Sequence, residues 1–135
     1  MIKTVVIDGN AISRNLLTSV LTDGGYEVVG EASSTPAGLA GMIKLQPQIV
    51  CIDIGRPDAD GVGKLDTLRA ELPKALLFLV SGKLDPAAVQ SALEHGVNGF
   101  VVKPFNAATV LATIRNTVVK LARQHRTKTE NVGSA

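Results

Sequence analysis

Aromatic side chains are scarce: the 135 residues include no Trp, one Tyr and three Phe, 3% of the chain. Surfaces that bind single-stranded nucleic acid stack bases on such rings, and the body of the chain has no basic excess to compensate. The net charge of +2 conceals an asymmetry. Residues 115–135 carry Arg115, Lys120, Arg123, Arg126 and Lys128 against the single acid Glu130, so the part before them is net acidic. A basic run of this kind is ordinarily solvated chain, with only nonspecific affinity for polyanions. Cysteine is almost missing as well. Cys51 alone excludes an internal disulfide and a cysteine zinc site, and within an apolar run it reads as a small hydrophobe. The two histidines, His95 and His125, lack partners at metal-ligand spacing. His95 stands before Gly96, where a histidine interacts with the last carbonyls of a helix. No apolar run reaches the ~20 residues that span a bilayer. Met1-Ile-Lys-Thr-Val-Val-Ile-Asp8 enters strand-like sequence directly, without the layout of a signal peptide. What remains is one cytoplasmic domain with a sizeable core, 45% of the residues being hydrophobic.

The chain is organised around Gln48-Ile-Val-Cys-Ile-Asp-Ile-Gly-Arg-Pro-Asp-Ala-Asp-Gly61. Ile49–Ile52 form a short, continuously apolar run, as in a parallel strand buried on both faces, and one carboxylate, Asp53, ends it. Ligands of parallel sheets bind beyond the carboxyl ends of the strands, which places Asp53 where chemistry is done. An acid there also serves as an ordinary turn or cap residue, so the rest of the chain has to decide.

Ile2–Ile7 reads as the first strand. A helix follows with Ile12, Leu16, Leu17, Val20 and Leu21 on one face, and Asp23-Gly24-Gly25 stops it. Tyr26–Gly30 is a second strand. Ser34-Thr35-Pro36 opens a helix that runs to about Leu45 and is weakened by Gly38 and Gly41. After the strand to Asp53, Val62, Leu65, Leu68 and Leu72 recur at helical spacing, and Ala75–Val80 gives the fourth strand. Asp85-Pro86 starts a helix with Val89, Ala92 and Leu93 inward, and Gly99–Val102 is the fifth strand. Asn106 caps a last helix whose inner face is Val110, Leu111, Ile114, Val118 and Leu121. Past Gln124 the periodicity is lost, so residues 1–124 are expected to form the domain and 125–135 a basic, disordered tail. Five strand–helix alternations predict an open, doubly wound α/β fold: a five-stranded parallel sheet, of flavodoxin-like order 2-1-3-4-5, with five helices.

The strand ends carry the information. Asp8 ends the first strand, Asp53 the third, Ser81 the fourth and Lys103 the fifth, and an open parallel sheet brings all four to one crevice. Carboxylate and carbonyl oxygens suit a hard cation such as Mg²⁺, a lysine supplies a point charge to anionic oxygens, and an aspartate can act as the nucleophile that forms an acyl phosphate. No P-loop, GxGxxG or GxSxG motif competes for the crevice.

With Val5-Val-Ile-Asp8, Asp53-Ile-Gly-Arg-Pro57, Asp60-Gly61, Val80-Ser81-Gly82 and Gly99-Phe-Val-Val-Lys-Pro104-Phe105, residues 2–122 resemble the receiver domains of two-component response regulators, in particular stand-alone regulators of the chemotaxis type. The resemblance implies that Asp53 is the phosphoacceptor. Asp8, Asp53 and the main-chain carbonyl of Gly55 would hold Mg²⁺. Ser81 would be the hydroxyl that follows the phosphoryl group, Lys103 its ion-pair partner and Phe100 the aromatic switch, with a cis bond at Lys103-Pro104. It also implies a sensor histidine kinase or phosphotransfer protein as phosphodonor. A downstream protein target would dock on the surface of the fourth helix, fifth strand and fifth helix. The chain would be a phosphoacceptor that assists its own phosphoryl transfer and hydrolysis, not an enzyme acting on a separate substrate.

One position departs from that pattern. Receivers end the first strand in two adjacent acids, and here the pair is Asp8-Gly9. Gly9 removes a metal ligand, which weakens Mg²⁺ binding and the charge neutralisation a metal supplies. Asn10 is expected to cap the following helix instead of reaching into the pocket. A second reading is therefore a degenerate receiver that docks on partners without being phosphorylated. A flavin-binding domain on the same fold would need a hydroxyl-rich phosphate loop, which Gly9-Asn10-Ala11 does not provide. If the chain is complete, nothing past Gln124 can fold as an output domain, and the protein acts by docking, with no contact to membrane or nucleic acid.

Overall fold

The computed structural model describes residues 1–56 and 58–133, with side chains through Gln124. Pro57, Ser134 and Ala135, and the side chains of the expected basic tail, lie outside the described residues. The elements alternate throughout: β1 (Lys3–Ile7), α1 (Ala11–Asp23), β2 (Glu27–Ala32), α2 (Pro36–Lys44), β3 (Ile49–Ile52), α3 (Ala59–Glu71), β4 (Leu76–Ser81), α4 (Pro86–Glu94), β5 (Gly99–Val102) and α5 (Ala107–Gly133). All strand pairs are parallel and the sheet order is β2-β1-β3-β4-β5, as the alternation predicts.

Side chains alternate across a strand, and the sheet sorts its apolar residues accordingly. Val5, Ile7, Val50, Ile52, Leu77 and Leu79 pack with Leu39 of α2, Leu65 and Leu68 of α3 and Ala92 of α4. Val6, Cys51, Phe78, Val80 and Val101 pack on the other face with Leu17 and Leu21 of α1 and Val110 and Ile114 of α5. β3 is buried at all four positions, which is why its sequence is continuously apolar. Burial alone pushes the Cys51 thiol up to about 12, so it stays protonated and inert.

Helix starts follow the chemistry of capping. Asn10, Thr35, Asp58 and Asp85 each accept a backbone N–H two or three residues into the helix that follows, and Asn106 accepts from Thr109. Gly25 and Gly96, at φ +93° and +89°, take the left-handed turns that close α1 and α4. Gly38 is not merely a weak point of α2: a Cβ there would lie 2.2 Å from the Ser33 carbonyl oxygen. Gly61 meets the same restriction at 2.2 Å from the Arg56 carbonyl, because α3 starts at Ala59, earlier than its apolar spacing suggests.

Two expectations need correction. Ile12 and Leu16 do not face the core: Ile12, in the first turn of α1, is 80% exposed, and Leu16 lies to the side of the buried Leu17 and Leu21. Leu93 is likewise exposed, with only Ala92 of its helix fully inward. On α5, Val110 and Ile114 are buried while Leu111, Val118 and Leu121 are half-buried. The backbone of α5 is helical to Gly133.

Candidate functional site

The registers explain why distant residues meet. Ile7 of β1 pairs with Ile52 of β3, so Asp8 and Asp53 leave the sheet side by side. The ladder continues one step past the strands: Asp53 donates its N–H to the Ile7 carbonyl at 2.9 Å, and Lys103 donates its N–H to the Ser81 carbonyl at 2.9 Å. The Lys103-Pro104 bond is cis, as the resemblance implied.

Lys103 is the centre of the crevice. Its ammonium donates to Asp53 Oδ2 at 2.6 Å and reaches Asp8 Oδ2 at 2.9 Å. The remaining oxygens are also held. Asp8 Oδ1 accepts the Asn10 N–H at 2.8 Å, and Asp53 Oδ1 accepts the Gly55 N–H at 2.8 Å across a turn that Gly55 makes at φ +78°. Partial burial by itself would lower the pKa of Lys103, but hydrogen bonds and charge from Asp53 and Asp8 outweigh it and the net shift is upward. A raised folded-state value contributes stability that is full below the unfolded pKa of about 10.4 and is lost only as pH rises through the folded value. Lys103 is therefore charged at every physiological pH.

Asp8, Asp53, Lys103 and Gly55 thus converge. Asn10 caps α1 through Ser13, as expected, and sends only its backbone N–H to Asp8. Ser81 does not join them. Its hydroxyl is tied within its own loop, accepting the Lys83 N–H and donating to the Lys83 carbonyl, both at 3.0 Å. By strand alternation it follows Leu77 and Leu79, onto the face of α3 and α4. Phe100 is half-buried against the apolar cluster of that face. A cavity of about 380 Å³ lies between α3 and α4, lined by Leu65, Leu79 and Ala92 and reaching Asp53, Ser81 and Lys83.

Two contacts were not foreseen. Arg14 donates from Nη1 to the Asp8 carbonyl at 2.7 Å, which brings a second cation to the β1–α1 turn. A basic residue in the first turn of a helix opposes the helix dipole, and that was the available signal. His95 does not bond the carbonyls of its helix through its ring: Nδ1 lies 2.5 Å from Asp66 Oδ1 of α3, while its backbone N–H does the capping.

Two carboxylates and the Gly55 carbonyl are hard oxygen donors, and Mg²⁺ is commonly held by one or two carboxylates with several waters retained. The donor set fits such an ion in kind. It is short in number: no group of three or more His, Cys, Asp or Glu suited to a metal occurs among the described residues. At Gly9 there is room for the missing acid, since a Cβ would meet only Ser34 Oγ, at 3.8 Å.

Fold and crevice together define a receiver, and comparison with known proteins agrees. Residues 4–115 match the response regulator receiver domain family. The chain belongs to that family. It is 30% identical over 114 residues to the chemotaxis protein CheY of Listeria monocytogenes, covering 84% of this chain and 96% of that protein. It is also 30% identical to CheY of Thermotoga maritima, covering 83% and 93%. The structure of Vibrio cholerae CheY4 superposes with a TM-score of 0.76 at 25% identity, over 87% of this chain and 98% of that one. The protein is therefore a CheY-like receiver domain of two-component signalling, a class that works with histidine kinases or phosphotransfer proteins and with downstream targets. Among the described residues no helix is long and apolar enough to cross a membrane.

Proposed function

We propose that this receiver accepts a phosphoryl group on Asp53 and uses it to switch a protein-docking surface, in the cytoplasm. The observation that carries this is the Lys103 ammonium held between Asp8 and Asp53, at 2.9 and 2.6 Å, on the carboxyl end of the sheet. It leaves the Asp53 carboxylate partly exposed and beside a fixed cation, the setting an attacking carboxylate needs. In the transfer, one Asp53 carboxylate oxygen forms a bond to phosphorus. The bond from phosphorus to the donor atom breaks, and its electron pair leaves with the donor. Asp8 and Lys103 orient the acceptor and keep the charge local. Mg²⁺, where bound by Asp8, Asp53 and the Gly55 carbonyl, supplies further charge neutralisation, weakened by Gly9. The same groups assist later hydrolysis of the acyl phosphate.

The phosphoryl group adds negative charge that competes with the Lys83 backbone for the Ser81 hydroxyl. Movement of Ser81 toward Asp53 frees space on the face where Phe100, paired in register with Leu79, repacks. Leu93 of α4, Val102 of β5 and Val119 of α5 are all exposed, Val102 by 54%, giving one apolar residue on each element of the proposed target-binding surface. The shift requires only differential affinity of a few kcal/mol between two states. Docking without phosphorylation is the second reading, which Gly9 favours; the family match does not favour it, and retention of the Asp8–Lys103–Asp53 contact opposes it.

Incubation with acetyl phosphate, followed by intact mass, tests the assignment: one phosphoryl adduct is expected, and none would remove the phospho-switch reading. A second test separates the macromolecular donor from the chemistry. Ile12, exposed beside the mouth of the crevice, is suited to packing on the phosphodonor protein. Ile12→Glu should slow phosphotransfer from a cognate kinase or phosphotransfer protein by about tenfold, the worth of a buried aliphatic contact at an interface. Uptake from acetyl phosphate should be unchanged. Equal slowing with both donors would show that Ile12 acts on the pocket and not on docking.

A further inference from the structure

Two cations stand at the two carboxylates of the strand ends. Asp8 and Asp53 stand against Lys103, within 2.9 Å of both, and Arg14, 2.7 Å from the Asp8 carbonyl. Gly9 contributes no charge, α1 has no acid in its first turn, and the positive end of its dipole lies at the same turn. A pocket with a third carboxylate would be strongly anionic and would call for a divalent cation before a phosphoryl group could approach. This one is balanced beforehand by its own side chains.

We propose that Arg14 and Lys103 supply the counter-charge for phosphoryl transfer to Asp53, so that uptake by this chain depends only weakly on Mg²⁺. The proposal rests on Asp53 being the acceptor and concerns what makes it one. Lys103 acts by contact with both carboxylates. Arg14 is a positioning residue: its guanidinium fixes the β1–α1 turn through the Asp8 carbonyl and adds positive potential where the phosphoryl oxygens arrive. Both cations disfavour a divalent ion in the crevice: Lys103 competes with it for the Asp8 and Asp53 carboxylates, and Arg14 adds repulsion from the β1–α1 turn. Weak Mg²⁺ binding and weak Mg²⁺ dependence then have one cause.

The full chain and its Arg14→Met, Arg14→Lys and Gly9→Asp variants are compared for acetyl phosphate uptake in excess chelator and in saturating Mg²⁺. Mg²⁺ binding to the unphosphorylated proteins is followed by calorimetry. For the unsubstituted chain the two rates should agree within about threefold. Arg14→Met should lower the rate in chelator about tenfold and at the same time tighten Mg²⁺ binding, while Arg14→Lys keeps the charge and stays near the parent in both. These values are what loss of one local charge of order 1 kcal/mol gives. Gly9→Asp should bind Mg²⁺ at least about tenfold tighter and make uptake Mg²⁺-dependent. A turn held merely in shape by Arg14 would not move Mg²⁺ affinity, and no change there in Arg14→Met would overturn its role. Uptake by the unsubstituted chain that occurs only with Mg²⁺ would overturn the inference while leaving Asp53 as acceptor. No uptake under either condition, with uptake by Gly9→Asp, would overturn both.

Discussion

Asp53→Asn is expected to take up no phosphoryl group from acetyl phosphate or from any kinase. The amide is isosteric, and its oxygen can still accept the Gly55 N–H that now meets Asp53 Oδ1 at 2.8 Å. It cannot attack phosphorus as a carboxylate does, and it cannot hold Lys103 by charge. The rate should fall by at least about 100-fold, as it does when a group acting only in the transition state is removed. Folding should hardly notice. Lys103 keeps Asp8 at 2.9 Å, and a partly exposed ion pair contributes about 1 kcal/mol or less. Intact mass reads the first expectation and urea denaturation the second. An adduct on the variant would move the acceptor to another carboxylate, of which Asp8 is the adjacent one.

Much of this site was legible in the sequence because period and position suffice to place strand ends. Four apolar runs ending in Asp8, Asp53, Ser81 and Lys103 must open on one side of a parallel sheet, and three of those residues meet there. What could not be read was anything decided by rotamers or by contacts between loops. Ser81 sits at the right strand end, yet its hydroxyl bonds the Lys83 backbone. No pattern in Val80-Ser81-Gly82 distinguishes a serine turned toward a site from one turned into its own loop. Gly38 and Gly61 looked like a cost and a motif; only the fold shows the carbonyls of Ser33 and Arg56 that exclude a side chain at each. The apolar period also overreached at Ile12 and Leu93, near helix ends left without a partner, and at Leu16, which lies to the side of the Leu17–Leu21 stripe that α1 buries. Those exposed residues flank the crevice and the α4–β5–α5 surface, so the places where the periodicity failed are those proposed for binding.

Arg69 is the residue whose importance the sequence hid most completely, and it carries the largest expected effect on stability. On α3 it reads as one more polar position. In the fold its Nη1 donates to the carbonyls of Leu72, Pro73 and Ala75, at 3.2, 3.1 and 2.9 Å. Its Nη2 donates to the Gly96 carbonyl at 2.6 Å and to Asn98 Oδ1 at 3.0 Å. Asn98 Oδ1 in turn accepts the Leu77 N–H at 2.9 Å, so one guanidinium ties the end of α3, the entry to β4 and the turn between α4 and β5. Burial lowers the pKa of the guanidinium, a cost that the surrounding acceptors offset. Arg69→Met keeps the stem and removes the donors, leaving several carbonyls to find water in a partly buried joint. Charge-assisted hydrogen bonds are worth about 1.5–3 kcal/mol each but share one joint here, so a total loss of about 3 kcal/mol is expected. For a chain of this length that lowers Tm by about 10 °C. Arg69→Lys should recover little, since one ammonium cannot span acceptors fixed for a planar fork. A loss under about 1 kcal/mol would mean that water already satisfies those carbonyls. The joint lies at the amino ends of β4 and β5, away from the crevice at their carboxyl ends. Below the new Tm, Arg69→Met should therefore accept phosphate on Asp53 at the parental rate, which separates what holds this fold together from what makes it a switch.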